Sequence, residues 1–229
     1  MTRRLTALTA ACGLLALACA AAAQAPQITW ELDDALQQLD QQAKNFKTAM
    51  ARVEVVRVGG DDTEQDRFSG NIFVDKRGYI RIRVDGDRYI ILAEPNMVQV
   101  YDGEQAIAER YSISEHRDRL EPWLRMGFST SGQDLSKGYV LTSLGEETVR
   151  NHRAIVLEMT PKRAQVREAV RHVRVWIDQA SWLPIRHEIA RTATGDKLIV
   201  DYTQMARNLR LNPALFQDEW PRGTKRVRR

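Results

Sequence analysis

The sequence predicts an α+β protein: one long, curved antiparallel β-sheet with amphipathic helices laid over its concave face. Three observations predict it. After Met50 the hydrophobic period changes from helical to two, the spacing of a half-buried strand. Turn signals such as Gly59-Gly60-Asp61-Asp62, Asp85-Gly86-Asp87 and Glu94-Pro95-Asn96 then recur at short intervals, and connections that short join only antiparallel strands. Two segments outside this pattern read as helices with one apolar side. Strands precede the second of them and about five more follow. A sheet that long must curl or close, which gives the helices a concave face to cover.

Residues 28–50 read as the first helix. Thr29 is a reasonable N-cap, and Glu31, Asp33 and Asp34 fall where the helix dipole favours negative charge. Leu32, Ala35, Leu36, Leu39, Ala43, Phe46 and Met50 form its apolar stripe. Strands follow at 53–58, 68–75, 79–84, 89–93, 97–101 and 106–113. The third alternates sharply, with Ile80, Ile82 and Val84 on one face and Tyr79, Arg81 and Arg83 on the other. His116–Met126 reads as the second helix, with Trp123, Leu124 and Phe128 on its apolar side, and 127–137 as a Gly/Ser-containing loop. Strands resume at 139–144, 154–160, 172–178, 183–191 and 197–205. The stretch 161–170 is open between loop, short helix and strand.

The first 25 residues are expected to be an export signal. Arg3 and Arg4 precede an apolar run from Leu5 to Cys19 and an alanine string, the layout of a secretory signal peptide. Cleavage fits after Ala23 or Ala25, with Pro26 disfavouring the later cut. Ala16-Leu17-Ala18-Cys19 is similar to a lipoprotein processing site, although Ala16 stands where such a site has leucine. A lipid anchor on Cys19 is therefore the alternative to a plain signal-core cysteine. Both cysteines, Cys12 and Cys19, lie in this segment, so the mature chain has no disulfide framework. The expected division is 1–25 signal peptide, 26–221 one domain, and 222–229 a basic tail, read either as a solvated terminus or as a contact for anionic lipid or an acidic partner. The formal charge of +4 falls to +2 without Arg3 and Arg4, and the tail carries Arg222, Lys225, Arg226, Arg228 and Arg229. The body is thus slightly acidic, which argues against nucleic acid as a partner.

Catalytic signatures are not evident. No phosphate-binding glycine loop is present. His116, His152, His172 and His187 show no metal-ligand spacing and read as partly exposed residues of strands or helices, so no metal or cofactor is expected. Gly127-Phe128-Ser129-Thr130-Ser131-Gly132 lacks the second glycine of a nucleophile elbow. The acidic pairs are sequence neighbours in a helix start or in turns, unsuited to a glycosidase dyad. The chain does not read as an enzyme. The tryptophans Trp30, Trp123, Trp176, Trp182 and Trp220 are scattered and define no cofactor box.

Three stretches carry a resemblance. Gly70-Asn71-Ile72-Phe73-Val74-Asp75-Lys76-Arg77-Gly78-Tyr79-Ile80-Arg81-Ile82 is similar to a strand-turn-strand Gly-x-Leu-x-Val-x-Arg-Pro-Gly-x-Phe-Arg-Trp with the proline missing. Ile91 to Asp102 resembles a hairpin Ile-x-x-Asp-Gly-x-x-x-x-x-Tyr-Asp, with Glu94-Pro95 for Asp-Gly. Gly195-Asp196, Asn212-Pro213, Leu215-Phe216 and Trp220-Pro221-Arg222-Gly223 are similar to an ending in which an aromatic residue and Pro-x-Gly close the last strand. All three resemble the outer-membrane lipoprotein carrier family, the LolA/LolB-like lipoprotein-sorting proteins. The resemblance implies an unclosed half β-barrel with helices as a lid over an apolar cavity. It implies a periplasmic, monomeric carrier that shields acyl chains of a lipoprotein or another lipid. An inner-membrane release complex and an outer-membrane acceptor would be its partners. A periplasmic sensor domain of the same fold, binding a lipid or a partner protein, is the alternative. By the same resemblance Arg77, or Lys76 with a shifted gap, would latch the lid. Expected cavity residues are Leu36, Phe46, Phe73, Ile80, Ile82, Trp123, Leu124 and Trp176.

Overall fold

Alternating burial along nearly every strand sets the architecture, as a sheet with one covered and one solvated face requires. The computed structural model describes residues 30–84, 88–94, 97–112, 128 and 130–228. The expected signal peptide with Cys19, the cap at Thr29, the turns at 85–87 and 95–96, and the helix 116–126 with Trp123 and Leu124 lie outside the described residues.

Helix α1 (Leu32–Asn45) leads into β1 (Thr48–Val58), β2 (Glu64–Asp75), β3 (Ile80–Val84), β4 (Tyr89–Glu94), β5 (Met97–Asp102) and β6 (Ile107–Ser112). Then come α2 (Gly132–Gly138), β7 (Tyr139–Val149), β8 (His152–Pro161), α3 (Ala164–Ala169), β9 (Val170–Asp178), β10 (Pro184–Arg191) and β11 (Lys197–Arg207). A 3-10 turn at Pro213–Phe216 precedes β12 (Lys225–Arg228). All the strands join one 12-stranded sheet in the order β12-β6-β5-β4-β3-β2-β1-β11-β10-β9-β8-β7. The two outermost strands do not pair with each other, so the sheet is an unclosed half-barrel.

Register sorts the side chains by face. Val53 lies between Gly70 and Tyr202, and Val55 between Phe68 and Val200. Ile72 pairs Ile82, which pairs Ile91, which pairs Val100. These residues share the inner face and run into one apolar cluster with Phe46 and Phe128. Ile155, Leu157, Val173, Val175 and Ile177 continue it under Ala35 and Leu39 of α1. The outer face is ionic: Arg174 on β9 donates to Glu158 on β8 (2.8 Å) and faces Glu188 on β10 (3.6 Å). Glu54 on β1 pairs with both Arg67 and Arg150, and these guanidinium groups hold its carboxyl below the usual range. Such half-exposed pairs favour solubility and register more than stability.

Four sequence expectations change. The first helix runs over Leu32–Asn45 instead of 28–50: Glu31, in extended backbone, holds the N-cap position, and the chain from Thr48 is claimed on both sides by β2 and β11. The segment read as a loop at 127–137 contains α2, started by Ser131, whose hydroxyl accepts the Asp134 N–H (3.1 Å). The ambiguous stretch 161–170 holds the short α3. The basic stretch 222–229 is not a free tail: β12 pairs in parallel with β6, from Lys225↔Ile107 to Arg228↔Arg110. To get there the chain crosses the outer face. Arg81 Nη1 donates to the Leu215 and Gln217 carbonyls (3.0 and 3.2 Å), and Trp220 stacks on Tyr101 at 5.4 Å.

Candidate functional site

The amphipathic α1 lies on the inner face, and polar groups from β11 fix its C-terminal end. Arg207 Nη1 donates to Gln42 Oε1 (2.6 Å) and to the Ser181 carbonyl (3.2 Å). Asn208, at φ 58°, accepts the Lys47 N–H (2.8 Å) through Oδ1 and donates through Nδ2 to the Asn45 carbonyl (3.2 Å). Asparagine tolerates this left-handed backbone, and its side chain satisfies groups that the end of a helix leaves open. Farther along α1, Asp40 accepts the Gln133 N–H of α2 (3.2 Å). There Gly132 comes so close that an added Cβ would lie 2.7 Å from the Leu36 carbonyl oxygen. Trp30 meets Trp182 edge to face at 4.9 Å, with Trp182 itself at φ 56°.

Between α1 and the sheet a cavity of about 230 Å³ remains. Leu39, Ala43, Phe46, Phe128, Trp182 and Leu183 form its apolar wall, with Gln42, Asn45, Thr130, Arg207 and Asn208 around them. It is smaller than the roughly 300–1,000 Å³ of ordinary ligand pockets. Among the described residues, α1, Phe46 and Phe128 pack onto the inner face around it.

Beside the cavity His187 is fully buried, which corrects the expectation of a partly exposed residue. Its Nδ1 lies 2.9 Å from the Tyr202 hydroxyl, and the rings meet edge to face at 5.3 Å. Its Nε2 has no hydrogen-bond partner among the described residues. Burial pushes the imidazole down to about 3 and raises the Tyr202 phenol.

The expected site residues divide. Phe46 lines the cavity. Leu36, Ile80 and Ile82 lie on the inner side without lining it. Phe73 and Trp176 are on the outer face instead. Ile72 and Val74 take the inward positions of β2 and so turn Phe73 out. Trp176 packs with Ala154, Val156 and Ile185, and its indole N–H donates to Glu147 (2.8 Å). Arg77 does not reach α1: its backbone N–H and its Nε both donate to the Asp75 carboxylate (2.6 and 2.9 Å), and it lies over the Tyr79 ring. An acceptor two residues back captures the guanidinium first. Among the described residues Lys76 donates its backbone N–H to the Lys47 carbonyl (2.8 Å). The residues that do hold the helix, Arg207 and Asn208, were missed. Asn208 follows a strand as an isolated turn former, and that is its only sequence signal.

The arrangement can sequester apolar groups; a hydrolytic role finds little support in it. Ser181 donates its hydroxyl to Asp178 (2.6 Å), and His152 lies on the other oxygen of the same carboxylate (3.2 Å). Asp178 therefore separates the serine from the imidazole, the reverse of an activated nucleophile. No group of three or more His, Cys, Asp or Glu side chains suited to a metal occurs among the described residues.

No family model matches the sequence, and no curated protein matches it. Among solved structures it is similar to an uncharacterized conserved protein from Thermus thermophilus. The identity is 11%, the match covers 87% of this chain and 100% of that one, and the TM-score is 0.58. The two chains share a fold. Two further matches are a LolA superfamily protein from Nitrosomonas europaea (16% identity, 80% of this chain, 97% of that one, TM-score 0.41) and the lipoprotein LppX of Mycobacterium tuberculosis (17%, 78%, 96%, 0.46). Identities this low speak to fold and not to activity.

Proposed function

We propose that this protein is a periplasmic carrier that shields acyl chains of lipoproteins, or of other lipids, against the inner face of its half-barrel and passes them towards the outer membrane. The observation that carries the reading is an apolar inner sheet face over which α1, Phe46 and Phe128 lie. Val53, Val55, Phe68, Ile72, Ile82 and Ile91 form a greasy strip under Phe46 and Phe128, and α1, held at its C-terminal end by polar contacts from Arg207 and Asn208, covers the adjoining strip of β8 and β9. Each methylene withdrawn from water is worth about 0.8 kcal/mol, so lipid tails could displace α1 and Phe128 at modest cost. Few polar contacts leave a small gap between closed and open states, which a donor or acceptor protein could bias. The sequence resemblance to lipoprotein carriers and the expected export signal support the same reading, with a donor at the inner membrane. The protein would act by binding, without catalysis, cofactor or metal.

The test is mass spectrometry of lipid retained by protein isolated from its native periplasm, together with uptake of a synthetic triacylated peptide. Bound acyl chains are expected; an empty protein that ignores the peptide rules the carrier out, and retention of a protein partner alone would favour the sensor alternative. Arg207→Ala removes two hydrogen bonds from a charged donor, each worth roughly 1.5–3 kcal/mol at most. It is expected to raise amide exchange in residues 40–46 at least about tenfold while β8 and β9 stay protected, and to speed peptide uptake.

A further inference from the structure

The sheet is split between β10 and β11. Their pairing runs from Ala190↔Lys197 to Arg186↔Asp201 and ends there. Beyond it, β10 shifts register against β9 between Pro184 and Arg186. On the other side β11 turns to φ 49° at Gln204, where its register on β1 also shifts. Both irregularities part the strands at the same end. The cavity under α1 opens on the inner side of the split. On the outer side is a second cavity of about 350 Å³, walled by Val149, Leu183, Ile185 and Met205, with Arg150 and His152 among its polar residues.

Two side chains bridge the split. Leu183 lines both cavities. Met205 packs against the inner cluster containing Phe46 and against the outer cluster containing Trp176. A residue of an intact sheet shows its side chain to one face only, so contact with both clusters marks a place where the sheet is open.

We propose that the two cavities are the ends of one bent channel that takes a single acyl chain through the sheet, with the Leu183 side chain as the partition between them. The proposal rests on the carrier reading and specifies where a tail lies. The inner space alone is below the volume of an ordinary ligand pocket and the outer one is at its lower limit; joined, they fall within it. Only the leucine side chain has to turn, because its backbone is tied by the Asp178 N–H to the Leu183 carbonyl (3.0 Å). The outer mouth is no trap for anions. Arg150 is already shared between Glu54 and Asp201 (3.1 Å each), and His152 rests on Asp178. Affinity must therefore come from the tail, and it should follow tail length instead of head-group charge.

Native mass spectrometry of the full chain with a series of fatty acids from octanoate to stearate, and with palmitoyl lysophosphatidylcholine, tests this. For the unaltered protein each added methylene is expected to tighten binding up to about fourfold, until the channel is full. The lysolipid should bind like palmitate. Met205→Trp fills the outer cavity and should abolish the gain from longer chains while octanoate binding persists; Ile185→Trp repeats the test from β10, and melting curves confirm that each variant folds. Leu183→Ala should retain the long-chain gain. If the filled variants keep the full series, the outer cavity takes no part and the channel is wrong, although the carrier reading survives. If the unaltered protein binds no member of the series or the acylated peptide, the carrier reading fails and the channel with it.

Discussion

Acidification from about pH 6.5 to about pH 4.5 is expected to cost the protein on the order of 1 kcal/mol per pH unit through a single residue, His187. The imidazole is fully buried, touches one hydroxyl, and is pushed down to about 3 by desolvation. In the unfolded chain it titrates near 6.5. Below that pH the unfolded chain takes up a proton that the folded one refuses. The stability contributed by the neutral imidazole is thus complete above about pH 6.5 and lost steadily as the pH falls towards about 3. His172 acts in the same direction, because burial also lowers it. The carboxylates held low by hydrogen bonds, Asp178 and Glu54 among them, come into play only further down. Urea unfolding at half-unit steps from about pH 7 to about pH 4.5 reads the slope. The double substitution His187→Leu with Tyr202→Phe removes the buried pair together and should flatten it; an unchanged slope in that variant would refute the assignment.

Gly70→Ala is expected to destabilise the fold by roughly 3 kcal/mol, the upper end of the range for overpacking. An added Cβ would lie 2.0 Å from the Arg83 carbonyl oxygen, 3.0 Å from its carbon and 3.1 Å from Val84 Cα. All three contacts are backbone, so no side chain can swing aside. Gly70 pairs Val53 on one side and Val84 on the other, where β3 presses against β2. Relief requires β2 and β3 to separate, which would loosen the inward packing of Ile72 and Ile82. Thermal melting provides the measurement, and a melting temperature within a degree or two of the parent would show that the strands can yield. Ser69→Ala, one residue away on the opposite face, is the control expected to cost far less.

The fold was legible where chemistry is local. The alternation Ile80-Arg81-Ile82-Arg83 names its own inner face, and the stripe of Ala35, Leu36 and Leu39 announces a helix that covers something. The site was less legible, because membership of a face depends on register with distant strands. Phe73 and Trp176 are large and apolar, and size suggested a cavity; only the parity of their strands places them outside. Arg186-His187-Glu188 reads as a charged, wet run, yet His187 is buried against Tyr202, 15 residues away. Arg77 stood at the right place for a latch, but Asp75 takes its guanidinium. The helix is instead held by Arg207 and Asn208, with bonds that span 165 and 163 residues. No window along the chain reveals such a pairing. The same holds for β12, a basic tetrapeptide without alternation whose parallel partner lies more than a hundred residues earlier.

The run from Asn208 to Arg228 has a mechanical consequence. It leaves the centre of the sheet at β11, crosses outside β3 to β5, and is stitched into the far margin beside β6. It works as a girdle around the back of the half-barrel. Spreading the strands would have to tear that girdle loose, whereas lifting α1 breaks a handful of side-chain contacts. The molecule is therefore stiff behind and yielding in front, and any swelling to admit a guest has to begin on the helix side.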